Sequence, residues 1–141
     1  MLKYKISLII IFIFILTLSC TESLVKATIW VGKFKSDNNV DYDVEIYFEQ
    51  NNYMRIFLTW DYDDDGVDDT FSATGSYTIT NKDAFVGFAD INVPTGLARL
   101  KMVGVINYYN NSGYGYYDLR DKTTTILVDE GDYTLTRITS M

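Results

Sequence analysis

From Tyr42 to Trp60 the chain alternates apolar and polar residues with a period of two, broken once by Gln50-Asn51-Asn52. Val44, Ile46 and Phe48 fall on one side, Asp43, Glu45 and Glu49 on the other. After the break Met54, Ile56, Leu58 and Trp60 alternate with Arg55 and Thr59. Successive side chains of a strand point to opposite faces, so such a run is a strand with one face in a core and the other in water. Two runs joined by three polar residues make an antiparallel hairpin. The same reading extends along the chain. It predicts strands over Thr28–Lys35, Tyr42–Glu49, Tyr53–Trp60, Phe71–Thr80, Ala84–Ala89, Leu97–Asn107, Tyr116–Arg120, Thr124–Asp129 and Asp132–Ile138. In the first, Ile29 and Val31 compete with Trp30 and Phe34 for the core face, and Gly32 suggests a bulge that switches faces. Ser36–Asn39 and Asn81–Asp83 read as turns, Asp90–Gly96 with Pro94 as a loop, and Glu130-Gly131 as a tight turn. No stretch keeps a helical period over the length a helix needs.

Eight or nine short strands in succession predict an all-β domain, most simply an antiparallel up-and-down meander that closes into a barrel of about eight strands and so removes its exposed edges. The alternative is a β-sandwich, which pairs the same strands but leaves the first and last unjoined. Twelve tyrosines, eight phenylalanines and a single proline suit pleated, half-buried surfaces. Histidine is absent, which removes the commonest general base and metal ligand. With no Gly-rich phosphate loop either, the chain reads as non-catalytic. Its net charge of −7 repels phosphate backbones and argues against nucleic acid.

The start of the chain has a different character. Lys3 and Lys5 precede an apolar run from Ile6 to Leu18, and polarity returns at Thr21, Glu22 and Ser23. The run is shorter than the roughly 20 residues a spanning helix needs and fits a secretory signal peptide. Leu16-Thr17-Leu18-Ser19-Cys20 resembles the lipobox of bacterial lipoproteins, in which the cysteine is acylated and becomes the new N-terminus. The organisation expected is a signal peptide over 1–19, a lipidated tether over 20–25 attached at Cys20, and one β domain over 26–141. Cys20 is the only cysteine, so the exported domain has no disulfide and rests on its core. The resemblance implies anchorage at a bacterial cell envelope, and Thr21, where inner-membrane retention uses Asp, leans toward the outer membrane.

Two stretches and the barrel interior could carry function. Asp61 to Asp69 presents D-x-D-x-D-G, the spacing at which Asp61, Asp63 and Asp65 face one calcium ion while Gly66 allows the bend. The Val67 carbonyl and Asp69 would complete the oxygen set. Ser72 stands where an EF-hand has its bidentate Glu, and the flanks are β-like, so the other reading is a solvated hairpin loop with Asp-Gly turn chemistry. Tyr108 to Gly115 reads as a Tyr/Asn/Gly loop, and with Tyr116 and Tyr117 just after it makes a tyrosine-rich stretch in which Tyr109, Tyr114, Tyr116 and Tyr117 are candidates to meet a glycan, a peptide or a lipid headgroup, or simply to cover strand faces. Phe48, Met54, Ile56, Leu58, Trp60, Met102 and Ile106 would line the interior, where large side chains favour filling over a hollow.

Trp30-Val31-Gly32-Lys33-Phe34, Gly75-Ser76-Tyr77-Thr78-Ile79 and Tyr133-Thr134-Leu135-Thr136-Arg137 together resemble small lipocalin-like domains, in an order that covers nearly all of the chain after Cys20. The chain departs from that family at Thr28, where lipocalins carry glycine. The resemblance implies that Trp30 packs against Arg137 of the last strand and closes one end of the barrel. It also implies a carrier of a small apolar ligand. The other expectation is a surface or structural module that engages envelope proteins or glycans.

Overall fold

The computed structural model describes residues 28–80 and 83–138. The signal peptide, Cys20 and the tether through residue 25 lie outside these residues. Eight strands follow one another: β1 (Thr28–Ser36), β2 (Asp41–Phe48), β3 (Tyr53–Trp60), β4 (Asp69–Ile79), β5 (Ala84–Val93), β6 (Gly96–Asn107), β7 (Ser112–Asp121) and β8 (Leu127–Ile138). Each pairs antiparallel with the next, and β1 pairs with β8 from Ile29–Ile138 to Ser36–Gly131, closing the barrel. The sandwich alternative is thereby set aside.

The reversals fall where the backbone needs a left-handed residue and the sequence supplies a short polar one. Asn39, Asn51, Asn52, Asp64, Asp83 and Asn111 all have positive φ, a conformation Asn and Asp reach at lower cost than other side chains that carry a Cβ.

Inside, the period-two pattern is realised. Trp30 and Phe34 win the core face of β1, with Ile29 and Val31 turned outward and half-buried. Val44, Ile46, Phe48, Met54, Ile56, Leu58, Leu100, Met102 and Ile106 are buried with them. No bulge interrupts β1, whose register runs evenly against both β2 and β8. Gly32 instead allows a close seam, because a Cβ there would meet the Thr134 carbonyl oxygen at 1.8 Å. On the other side of β8 from that seam, Gly104 and Gly115 face each other across β6 and β7, and the Tyr133 hydroxyl occupies the space their missing side chains leave.

Three further sequence expectations are corrected. The tyrosine stretch is a loop only to Asn111, and β7 begins at Ser112 because Tyr114 and Tyr116 alternate with Gly113, Gly115 and the buried Tyr117. Asp90–Gly96 is not a loop, since β5 runs through Val93 and leaves Pro94-Thr95 as the turn. Glu130-Gly131 is not a turn. Gly131 pairs with both Ser36 and Tyr117 inside a continuous β8, its lack of a side chain serving close packing rather than a reversal.

Candidate functional site

In an up-and-down barrel alternate connections share an end. The β2–β3, β4–β5 and β6–β7 turns gather where β1 starts and β8 finishes. The β1–β2, β3–β4, β5–β6 and β7–β8 connections gather at the other end.

The first end is plugged. Trp30, with no exposed surface, meets Phe48 and Tyr108 edge to face at ring-centroid distances of 6.3 and 5.5 Å. Phe48 in turn packs on Tyr77 and Phe85. The indole N–H donates to the Thr28 hydroxyl at 3.1 Å, so the threonine at the lipocalin glycine position serves as a polar anchor for the ring. Trp30 and Arg137 are register partners. The Arg137 guanidinium, however, lies over Tyr108, 5.8 Å from its centroid. The expected closure therefore runs through an intermediary ring: Arg137 covers Tyr108, and Tyr108 covers Trp30.

The second end is open. A cavity of about 240 Å³ enters the barrel there, lined by Phe34, Tyr42, Leu58, Trp60, Ile91 and Leu100, among others. A cavity of about 150 Å³ holds a benzene, so this one has room for a small organic molecule. The residues expected to line a hollow divide accordingly. Phe48, Met54, Ile56, Met102 and Ile106 fill the plugged half, while Leu58 and half-buried Trp60 reach the cavity.

The cavity wall carries one charged group, Asp129, which is 6% exposed. Its Oδ1 accepts from the Ser36 hydroxyl and from Asn38 Nδ2 at 3.2 Å; its Oδ2 accepts from the hydroxyls of Tyr42 at 2.8 Å and Tyr117 at 2.9 Å. All four donors are neutral, and among the described residues no Lys or Arg pairs with this carboxylate. Burial first, and then the bond to Asp129, push the phenol pKa of both Tyr42 and Tyr117 far above 10.0. Aromatic rings continue from this cluster toward the rim. Phe34 stacks on Tyr117 at 4.5 Å, Tyr117 lies edge-on to Tyr42 at 6.5 Å, Tyr42 to Trp60 at 5.0 Å, and Trp60 to Tyr62 at 6.0 Å.

Sequence reading placed Trp60 and Leu58 here but missed Asp129. A signal for it existed: Asp129, Gly131, Tyr133 and Leu135 alternate on the inward face of β8, and counting by two across Glu130-Gly131 turns the carboxylate inward. Dividing the strand there hid it.

The other candidates are distributed differently. Tyr109 is 86% exposed in the β6–β7 turn at the plugged end, and Tyr114 and Tyr116 lie on the outer wall of β7. Tyr116 donates to Glu130, which pushes its phenol up to about 12. Tyr117 alone of the four points inward, so the set does not form one surface. In the β3–β4 loop, Asp61, Asp63 and Asp65 bring carboxylate oxygens within 4.8 Å of one another; the Asp69 carboxylate lies outside that group, and Val67 is exposed in the same loop. Asp61 accepts the N–H groups of Asp65 and Gly66, and Asp65 accepts that of Val67. The loop thus folds around Asp61 and Asp65, whose side chains accept backbone N–H groups as Asp does in turns.

The class these features define is a closed eight-stranded antiparallel barrel with one plugged end and one open, ligand-sized mouth, an architecture compatible with lipocalin-like domains. In comparisons with known proteins, no family model, curated protein or solved structure matches the chain.

Proposed function

We propose that this protein is a non-catalytic binding protein of a bacterial cell envelope, held to the membrane by acylated Cys20, that carries a small, largely apolar ligand in the mouth of its barrel. The carrying observation is the cavity: an indentation of about 240 Å³ with mainly apolar walls at one end of an otherwise filled interior. Small-molecule sites combine such walls with a few fixed polar groups, and the Asp129 cluster supplies these. Anchorage draws its support from the leader and the lipobox-like Leu16–Cys20. Because β1 starts at the plugged end, residues 20–27 would reach the barrel from that side on a tether of at most about 28 Å. The mouth would then face away from the membrane, toward ligands in the surrounding medium.

Native mass spectrometry of the full chain, extracted from bacterial membranes in mild detergent, tests this reading. The expected result is a bound mass of a few hundred daltons on the wild-type protein that is absent from a Val93→Trp variant, in which an indole fills the cavity. A bare wild-type protein indistinguishable from the variant would overturn it.

A further inference from the structure

We infer that the ligand of the mouth is an organic ammonium compound: an amine or quaternary ammonium group carried on a small apolar body. This deepens the reading above and rests on it. Three observations converge. First, the cavity wall contains one charged residue, and it is an anion. The two oxygens of a carboxylate accept about four hydrogen bonds, and those of Asp129 receive four, all from neutral donors. This shell solvates the carboxylate and fixes its position but leaves its charge uncompensated. Buried charges are ordinarily paired, so the missing partner is a cation brought by the ligand.

Second, the path from the carboxylate to the rim is aromatic, through Phe34, Tyr117, Tyr42, Trp60 and Tyr62. Ring faces attract cations, most strongly those of Trp, and aromatic cages select quaternary ammonium groups that cannot hydrogen-bond. The hydroxyls of Tyr42 and Tyr117 donate to Asp129, which polarises their rings toward the electron-rich phenolate and strengthens that attraction. Since the donors already fill the carboxylate's lone pairs, the ligand needs no direct hydrogen bond to it. A cation over the tyrosine faces gains from the anion behind them.

Third, the β3–β4 connection at the same end carries Asp61, Asp63, Asp64, Asp65 and Asp68, and Asp37 sits in the β1–β2 turn. Of the other two connections at this end, β5–β6 carries no charge and β7–β8 carries Lys122, which is paired with Asp90; the acidic excess at the mouth concentrates cations there. An anionic ligand, or a fatty acid entering head-first, would meet repulsion both at the rim and inside.

Isothermal titration calorimetry on the full chain in detergent tests the inference with three probes of similar size: benzyltrimethylammonium, its neutral isostere neopentylbenzene, and phenylacetate. The expected order places the cation about tenfold or more ahead of the isostere, with phenylacetate weakest. Asp129→Asn should remove the cation's advantage. Since that change alters a buried cluster, Trp60→Leu at the half-exposed rim provides a second reading, in which the cation loses more affinity than the isostere. Equal binding of cation and isostere would overturn the ammonium inference and leave the carrier reading standing. Tighter binding of phenylacetate would do the same. No binding of any probe, together with a bare protein in the mass spectrometer, would overturn both.

Discussion

Removing one oxygen from each of two buried tyrosines that both pack against Phe34 should move stability in opposite directions. Tyr133 and Tyr117 are 1% and 2% exposed, and their rings lie 5.8 and 4.5 Å from that of Phe34. Their hydroxyls have different fates. That of Tyr133 sits over Gly104 and Gly115 with no hydrogen-bond partner, whereas that of Tyr117 donates to Asp129 at 2.9 Å. An unsatisfied buried polar group costs about 1–3 kcal/mol, and a hydrogen bond to a charged group contributes about 1.5–3 kcal/mol. Tyr133→Phe removes the penalty and leaves the ring in place, so it should stabilise by about 1 kcal/mol, the low end allowing for relaxation around the site. Tyr117→Phe removes a donor from a carboxylate that stays buried and should destabilise by about 2 kcal/mol. For a domain near 100 residues each kcal/mol is worth about 4–8 °C in Tm, which puts the two variants roughly 12–24 °C apart. The edit is chemically identical, so unfolded-state effects largely cancel in the comparison. Urea titration followed by circular dichroism, with a thermal melt as a check, reads the result. If both variants are destabilised by similar amounts, the assignment of one orphan and one anchored hydroxyl is wrong.

Three further outcomes follow from the structure and one from the proposed anchorage. Tyr42, Tyr108, Tyr117 and Tyr133 have phenols raised above 10.0, chiefly by burial. A raised acid stabilises the fold below its unfolded pKa and loses that contribution as pH climbs toward the folded value, so unfolding should become steeply easier above about pH 10, with phenolate absorbance appearing in step with the loss of β structure. Asp90, held at about 2 by hydrogen bonds from Arg99 and then Lys122, behaves oppositely. Its contribution is present above pH 3.8 and fades as pH falls toward 2, and Asp90→Asn should flatten that part of an acid stability curve. Arg137→Ala uncovers Tyr108 at the plugged end and should cost about 1 kcal/mol, measured by urea titration; no loss would mean that the guanidinium does not help close the barrel. Cys20→Ser should move the protein from the detergent phase to the aqueous phase in a phase-partition assay, and unchanged partition would refute acylation at that residue.

Most of the architecture was legible from period-two alternation, because a strand with one buried face writes its orientation directly into the residue pattern. Val44–Phe48 and Met54–Trp60 carried enough contrast to set both faces and the turn between them. Where contrast failed, the reading failed with it. Gly131, Gly113 and Gly115 have no side chain to report a face, and glycine is as much a turn residue as a packing residue; the residue pattern therefore splits β8 and hides the start of β7. The site was less legible than the fold. Trp60 and Leu58 could be placed in the interior, but the cluster joins Ser36, Asn38, Tyr42, Tyr117 and Asp129 from four strands and a turn, a proximity that barrel closure between β1 and β8 creates. Asp61–Asp69 was conspicuous as a string of letters, yet two of its carboxylates, Asp61 and Asp65, bond to the backbone of their own loop.

The chain has two tryptophans, and they mark the two ends of the barrel: Trp30 within the plug and Trp60 at the mouth. Emission spectra of Trp30→Phe, which leaves only Trp60, and of Trp60→Phe, which leaves only Trp30, therefore report on each end separately during titration with benzyltrimethylammonium. A saturable change is expected at Trp60 and none at Trp30. A response confined to Trp30, or silence from both, would contradict the claim that this barrel binds its ligand through the open end.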